Sequence, residues 1–196
     1  MYNTFIVSDT HFGHEKTCTV FKREDGSPLR SFRDADEMNA EMIKRWNAVV
    51  RPHDKVYHLG DVVINKKFLY ILPLLNGKKR LIRGNHDIYP TKTYLQYFDE
   101  IYGVRVLADM ILSHIPLARD SITERFNVNV HGHLHANVIM SPENDKMPDY
   151  RYMNACVEHW DYTPVSLDTM RDAVKERQKL HNFTPGQAWG NGTGPG

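Results

Sequence analysis

Five short segments carry side chains suited to binding a metal or moving a proton. In chain order they are Asp9-Thr10-His11, Gly60-Asp61, Gly84-Asn85-His86-Asp87, Ser113-His114 and Gly132-His133-Leu134-His135. The set is rich in imidazole and carboxylate and holds no thiol, a donor chemistry that suits divalent transition metals. Hydrolysis of a phosphate ester needs a nucleophile at neutral pH and positive charge beside the phosphoryl oxygens. Two divalent ions about 4 Å apart supply both. Asp61 is the natural bridging carboxylate, sitting mid-set behind a glycine that permits close approach. Asp9 and His11 are two residues apart, as are His133 and His135. An extended backbone would therefore aim each pair to one side. Two M²⁺ ions against the carboxylates of Asp9 and Asp61 leave a charge of about +2, a well for a phosphate anion. His86 directly follows Asn85 and is placed to act as a general acid. Asp87 is placed to orient its imidazole. Each segment alone reads as an ordinary turn; their joint order is the signal.

The elements that must position these residues follow from pattern and punctuation. Most of the segments end an apolar, strand-like run, and residues at strand ends converge at one edge of an α/β sheet. Strands are expected at Thr4 to Ser8, Lys55 to Leu59, Arg80 to Arg83, Val104 to Leu107, Met110 to Ser113, Val128 to Val130, Tyr150 to Val157 and Val165 to Leu167. Met38, Met42, Ile43, Trp46 and Val50 share one helical face, with Asp34 or Asp36 as cap and Pro52 as stop. Lys67 to Leu75 is expected to be helical until Pro73 breaks its last turn. Tyr94 to Phe98 reads as a short helix, and Asp168 as the cap of a charged helix to Leu180. His11 to Ser31 and Ser141 to Asp149 read as loops. Strands alternating with helices give an α/β layered fold, a two-sheet β-sandwich flanked by α-helices. Residues 1–182 are expected to form a single domain. Residues 183–196, rich in Gly and Pro, are expected to be a flexible tail.

The bulk numbers set the remaining bounds. The 196 residues suffice for one domain with a buried core. A formal net charge of +1 gives no global attraction to nucleic acid or membrane. Eleven histidines are many for this length and call for a cause. The two cysteines, Cys18 and Cys156, lie far apart and are expected to be free thiols in a reducing compartment. No stretch is apolar for long enough to span a bilayer. The amino terminus lacks the pattern of a signal peptide. A cytoplasmic protein is therefore expected.

The five segments resemble the pattern of the calcineurin-like metallophosphoesterase superfamily: Asp-x-His, Gly-Asp, Gly-Asn-His-(Asp/Glu), His and Gly-His-x-His. The resemblance spans roughly residues 4 to 168. It implies a β-sandwich flanked by helices with a dinuclear site at one edge. It further implies that one ion takes Asp9, His11, Asp61 and His135, the other takes Asp61, Asn85, His114 and His133, and His86 is the catalytic histidine. Ser8 to His14, Glu37-Met38-Asn39, Trp46-Asn47, Val157-Glu158 and Tyr162 to Val165 resemble a small uncapped bacterial and phage branch. Val62-Val63-Ile64-Asn65 stands where Ser/Thr protein phosphatases carry Asp-Arg-Gly, which argues against a phosphoprotein substrate. The short span from Asp61 to Asn85 leaves little room for a cap domain.

The expectation is a metal-dependent phosphoesterase using a metal-bound hydroxide, with a small, nucleotide-derived phosphodiester as the favoured substrate. Rivals are a phosphomonoesterase for small metabolites, a nuclease and a non-catalytic metal-binding scaffold. The near-neutral charge disfavours nucleic acid. The donor set admits Mn²⁺, Fe²⁺, Ni²⁺ or Zn²⁺, with Mn²⁺ the first expectation. His14 is a further substrate candidate from the first loop. Arg23, Arg30 and Arg33 are candidates to clamp a second phosphate. Asn39 and Asn47 are weaker candidates to approach substrate. His58 and His131 are expected to be packed inside strands, Trp46 to be core, and His53, His159 and His181 to lie on the surface.

Overall fold

The computed structural model describes residues 2–122 and 126–181, so the expected tail at 183–196 lies outside the described residues. Its frame is a five-stranded sheet in the order β11-β1-β2-β3-β4, built from β1 (Thr4–Val7), β2 (Lys55–His58), β3 (Lys78–Ile82), β4 (Glu100–Tyr102) and β11 (Val165–Ser166). β1 to β4 run parallel and β11 is antiparallel to β1. A second sheet has the order β10-β7-β6-β5, from β5 (Val104–Leu107), β6 (Met110–Ser113), β7 (Val128–His131) and β10 (Tyr152–Asn154). In it β6, β7 and β10 are parallel, and β5 returns antiparallel on β6.

Alternation along β1 and β2 sorts the core into two layers. Ile6 and Tyr57 face the second sheet and pack with Leu59, Ile82, Met110, Leu112, Val128, Val130 and Met153. That shared layer is the interior of a β-sandwich. Phe5, Val7 and Val56 face the other way, onto Met38, Met42 and Trp46 of helix α2 (Ala35–Val49). Asp34, not Asp36, caps α2: its side chain accepts from the Glu37 amide at 2.8 Å. Trp46 is core as expected, with its indole N–H donated to the Asn76 carbonyl. Helix α4 (Leu167–Leu180) adds Met170 and Val174 to the sandwich interior.

Several local expectations need correction. The stretch Ser141 to Asp149 is not all loop: Met140–Ser141 (β8) and Asn144–Pro148 (β9) form a small hairpin. Its polar sequence lacks the apolar alternation that marks a half-buried strand. The first long loop contains a four-residue helix, α1 (Lys16–Thr19). The segment Lys66–Leu74 winds as a 3₁₀ helix that includes Pro73. The short helix α3 is Thr91–Tyr94, earlier than expected. The α4 cap is Ser166, which accepts from the Thr169 amide; Asp168 lies in the first turn. Strand-like chain around β10 is shorter than expected, because Cys156 leaves its sheet to bridge to Ser8. That bridge, with Val157 N–H donated to Ser8 O, stitches the two sheets together at one end.

Candidate metal centre

β1, β2, β3, β6 and β7 all deliver their carboxyl ends to that stitched edge, and the five segments follow directly. Asp9 and Asp61 are held side by side by backbone pairing that outlasts the strands: Asp9 N–H donates to Gly60 O and His11 N–H to Asp61 O, both at 3.0 Å. Two groups of donors result. Asp9, His11 and His135 form one; Asp61, His114 and His133 form the other, and within each the ligand atoms lie within 4.8 Å of one another. Asp61 lies between them. Its Oδ2 is 3.4 Å from His11 Nε2 and 3.4 Å from His114 Nε2. Asn85 joins the second group, with Oδ1 2.8 Å from His114 Nε2 and 3.0 Å from His133 Nδ1. All seven residues expected as metal ligands are thus brought together.

The backbone does this by a route different from the expected one. Asp9, His11, Asp61, His133 and His135 all have positive φ, between 45° and 69°. The Asp-x-His and His-x-His pairs are therefore not extended. Each of these five residues turns the chain in the left-handed region, where a non-glycine residue is strained. Glycines make the approach close enough. A Cβ at Gly84 would lie 2.2 Å from Asp61 Oδ1, and one at Gly132 would lie 2.3 Å from Asp9 Oδ2.

Hydrogen bonds to the far side of each ligand decide which atom faces the centre. Asp9 Oδ2 accepts from Ser8 Oγ at 2.5 Å, the His133 amide at 2.9 Å and Cys156 Sγ at 3.2 Å. Asp9 Oδ1 is buried and has no hydrogen-bond partner. His114 Nδ1 is 2.8 Å from the Leu59 carbonyl oxygen. A carbonyl only accepts, so Nδ1 carries the proton and Nε2 presents its lone pair. That lone pair faces two further acceptors, Asn85 Oδ1 and Asp61 Oδ2. By the same logic His135 donates Nδ1–H to Glu158 Oε1 at 3.0 Å and leaves Nε2 free. Both ring nitrogens of His11 are buried without a partner. Converging acceptors and orphaned buried atoms are costly without a partner, and a bound cation would satisfy them. The residues therefore fit divalent ions.

The electrostatics of Asp9 and His11 agree, whereas at His114 and His135 burial lowers the pKa but Asp61 and Glu158 beside them outweigh it and raise both above the ordinary histidine value. Burial pushes the Asp9 carboxyl up, but His11, His114 and His135 around it outweigh burial and hold it well below the usual carboxylate range. Burial depresses His11 below the ordinary histidine value, which keeps it neutral. An ionised carboxylate and a neutral imidazole are the forms that bind metal.

His86 is exposed at the mouth, its ring centroid 5.4 Å from that of His11. Asp87 does not stand behind it. The Asp87 carboxylate is buried and accepts from the amides of Val62 (3.1 Å), Asp61 (2.9 Å) and Gly84 (2.8 Å). It ties the Gly-Asp turn to the Gly-Asn-His-Asp turn, which corrects the expected orienting role. His14 is half-buried beside the centre, 5.5 Å from His11 between ring centroids, and burial lowers its pKa to about 4.

The arginine expectation also needs correction. Arg30 is fully buried and donates to the carbonyls of Asp9 and Thr10 and to Glu158. Arg33 pairs with Asp34 and Arg23 donates to Leu29 O. Asn39 and Asn47 hold backbone: Asn39 accepts from Gly13 N–H, and Asn47 bonds Leu74 and Asn76. His58 lies between Gly60 N–H and the Thr10 hydroxyl, and His131 Nδ1 faces Gly132 O. His53 and His159 are exposed, while His181 is half-buried against Pro148 O. Cys18 and Cys156 are both free thiols. Sequence reasoning gave no role to Glu158, Arg30's partner; Val157-Glu158 stands out only as a stretch that resembles the small uncapped branch.

The family model for calcineurin-like phosphoesterases matches residues 2–155. The uncharacterized protein MJ1445 of Methanocaldococcus jannaschii is 36% identical over 185 residues, which cover 90% of this chain and 93% of that protein. The gene 66 protein of Mycobacterium phage L5 is 27% identical over an alignment of 219 positions that covers 92% of this chain and all of the phage protein. Among solved structures, the protein of unknown function AQ665 from Aquifex aeolicus superposes with a TM-score of 0.65 at 30% identity, over 88% of this chain and all of that one. With the fold, the strand-end site and the paired donor groups in agreement, the chain belongs to the calcineurin-like phosphoesterase family, hydrolases acting on phosphoric ester bonds.

Proposed function

We propose that the chain is a dinuclear phosphodiesterase for small, nucleotide-derived esters. Asp9, His11, Asp61 and His135 would hold one divalent ion; Asp61, Asn85, His114 and His133 would hold the other. The observation that carries this reading is the position of Asp61 Oδ2, 3.4 Å from a histidine nitrogen of each donor group. Two bound divalent cations, Mn²⁺ in the first instance, supply a nucleophile at neutral pH and positive charge at the phosphoryl oxygens. His86 reaches from the exposed rim and hands a proton to the leaving oxygen. Its backbone N–H, donated to Asp61 Oδ1 at 2.8 Å, fixes the carboxylate on the side away from the two histidines.

The diester preference rests on charge. A monoester dianion needs more positive partners than a diester monoanion. The three arginines of the first loop are all engaged elsewhere. Among the described residues no helix is long and apolar enough to cross a membrane. The two free buried thiols support a reducing, cytoplasmic setting.

Metal-stripped protein supplied with Mn²⁺ should turn over bis-p-nitrophenyl phosphate faster than p-nitrophenyl phosphate. Asp61→Ala should abolish turnover, and His86→Ala should lower kcat by about 10²- to 10⁴-fold, the usual worth of a general acid. Faster monoester turnover would refute the diester reading. Mn²⁺-independent turnover, or full activity without Asp61, would refute the metal centre.

A further inference from the structure

We infer that Glu158 and Arg30 form a buried positioning pair that sets which nitrogen of His135 faces the first metal and locks that histidine to the Asp9 segment. The inference rests on the proposed metal centre and assigns residues that lie outside it.

The side chains of Arg30 and Glu158 are both 0% exposed. One carboxylate oxygen of Glu158 does all the work. Oε1 accepts from Arg30 Nε at 2.9 Å and from His135 Nδ1 at 3.0 Å, and lies 2.8 Å from Arg30 Nη2 in the ion pair. Oε2 is buried with no partner. A carboxylate placed only to neutralise an arginine would use both oxygens in a fork. Here the geometry is spent on one atom shared between guanidinium and imidazole.

The rest of the guanidinium is spent on the other half of the same donor group. Arg30 Nη2 donates to Asp9 O at 2.5 Å and Nη1 to Thr10 O at 2.8 Å. One arginine therefore grips the main chain between two ligands, Asp9 and His11, and through Glu158 grips the third, His135. These segments lie more than a hundred residues apart in sequence. Asp9, His11 and His135 also sit at positive φ, a conformation that relaxes unless something holds it. A buried ion pair is a poor source of net stability, since desolvation consumes most of the attraction. Its gain here is geometric. The Nδ1–H to Glu158 bond fixes the tautomer, leaves Nε2 as the donor and raises the basicity of the ring. The second donor group receives the same service from a neutral acceptor, the Leu59 carbonyl on His114. The charged version is confined to the first.

The test is Mn²⁺ binding to the metal-stripped full chain, read by competition with a fluorescent chelator, with no substrate present. The parent should bind two ions. Glu158→Ala should weaken one of them by about 10- to 100-fold, the usual cost of removing such a partner, and leave the other unchanged. Glu158→Gln keeps the shape and the Oε1 acceptor and should recover part of that loss. Should Glu158→Ala fail to fold, Glu158→Gln carries the comparison. The decisive arm is the cycle with His135→Ala. If Glu158 acts through His135, its substitution costs nothing further once that ring is gone. Equal losses with and without His135, or unchanged affinity for both ions in Glu158→Gln and Glu158→Ala, would overturn the assignment. A parent that binds no Mn²⁺ would instead overturn the metal centre itself.

Discussion

Gly132→Ala isolates the close approach on which the first donor group depends. The added Cβ would meet Ser8 Oγ at 2.0 Å and Asp9 Oδ2 at 2.3 Å. Unlike Gly60, whose φ is +104°, Gly132 has no positive φ, so the substitution adds bulk without backbone strain. Ordinary contact needs about 3.5 Å, so the Asp9 carboxylate must retreat by about 1 Å. It cannot retreat freely, because Oδ2 is pinned by Ser8, Cys156 and the His133 amide. Overpacking of this kind costs about 1–3 kcal/mol, and in a chain of this size each kcal/mol is worth about 2–4 °C of melting temperature. Metal–ligand distances tolerate only about 0.2 Å, so the affinity of the ion held by Asp9 should fall much further than stability does. The assay is thermal unfolding of metal-free protein beside Mn²⁺ titration, with Gly103→Ala as the control, since a Cβ there meets nothing within 4 Å. A Gly132→Ala protein that melts with the parent and binds both ions as tightly would refute the close-approach argument.

Two other outcomes separate roles that adjacent residues share in sequence. Asp87→Ala strands three buried amides and should cost about 3 kcal/mol or more, or roughly 6–12 °C in melting temperature. His86→Ala, on the exposed rim, should melt within about 0.5 kcal/mol of the parent while losing turnover; equal melting of the two variants would contradict the reading of Asp87 as a tie between turns. Burial also drives the pKa of His58 down to about 3. The ring is then neutral when folded and protonated when unfolded below about pH 6.5, so the unfolded state binds the extra proton and stability falls as pH falls through that window. At pH 5 the loss is about 2 kcal/mol. Urea midpoints of metal-free protein at pH 7 and pH 5 should differ less in His58→Gln than in the parent, and an undiminished difference would exclude His58 as the source.

The gathering of the ligand candidates at one edge was legible because its signal is local. Each ligand candidate sits at the end of an apolar run, and parallel strands carry their ends to one edge whatever the loops between them do. What lay hidden is non-local or conformational. Val157-Glu158 carried a resemblance but no role, because the Ser8–Cys156 bridge and the contact of Glu158 with His135 are non-local. Asp87 follows a histidine in sequence and so reads as its partner, yet three amides from two turns compete for its carboxylate and win. Arg30 sits in a polar segment where a solvated clamp is the common outcome; buried carbonyls and a buried carboxylate claimed it. The β8–β9 hairpin is short and mostly polar, so no apolar period announces it.

The left-handed ligands raise the further matter of why a site should be built from strained residues. An extended Asp-x-His would project both side chains from a strand face into the sandwich core, where the apolar layers already pack. Turning the chain at Asp9, and again at His11, lifts the pair out of the sheet and over its edge. The same happens at His133 and His135. Each such residue costs about 1–3 kcal/mol, and the strain is opposed by contacts made within the protein itself: Asp9 and His11 amides on the Gly60 and Asp61 carbonyls, the His133 amide on Asp9, and Arg30 on the Asp9 and Thr10 carbonyls. The backbone of the centre is therefore held by the protein's own hydrogen bonds. Metal binding then adds to stability without first having to fold the loops, and removal of metal should lower the melting temperature while leaving the sheet-edge geometry in place.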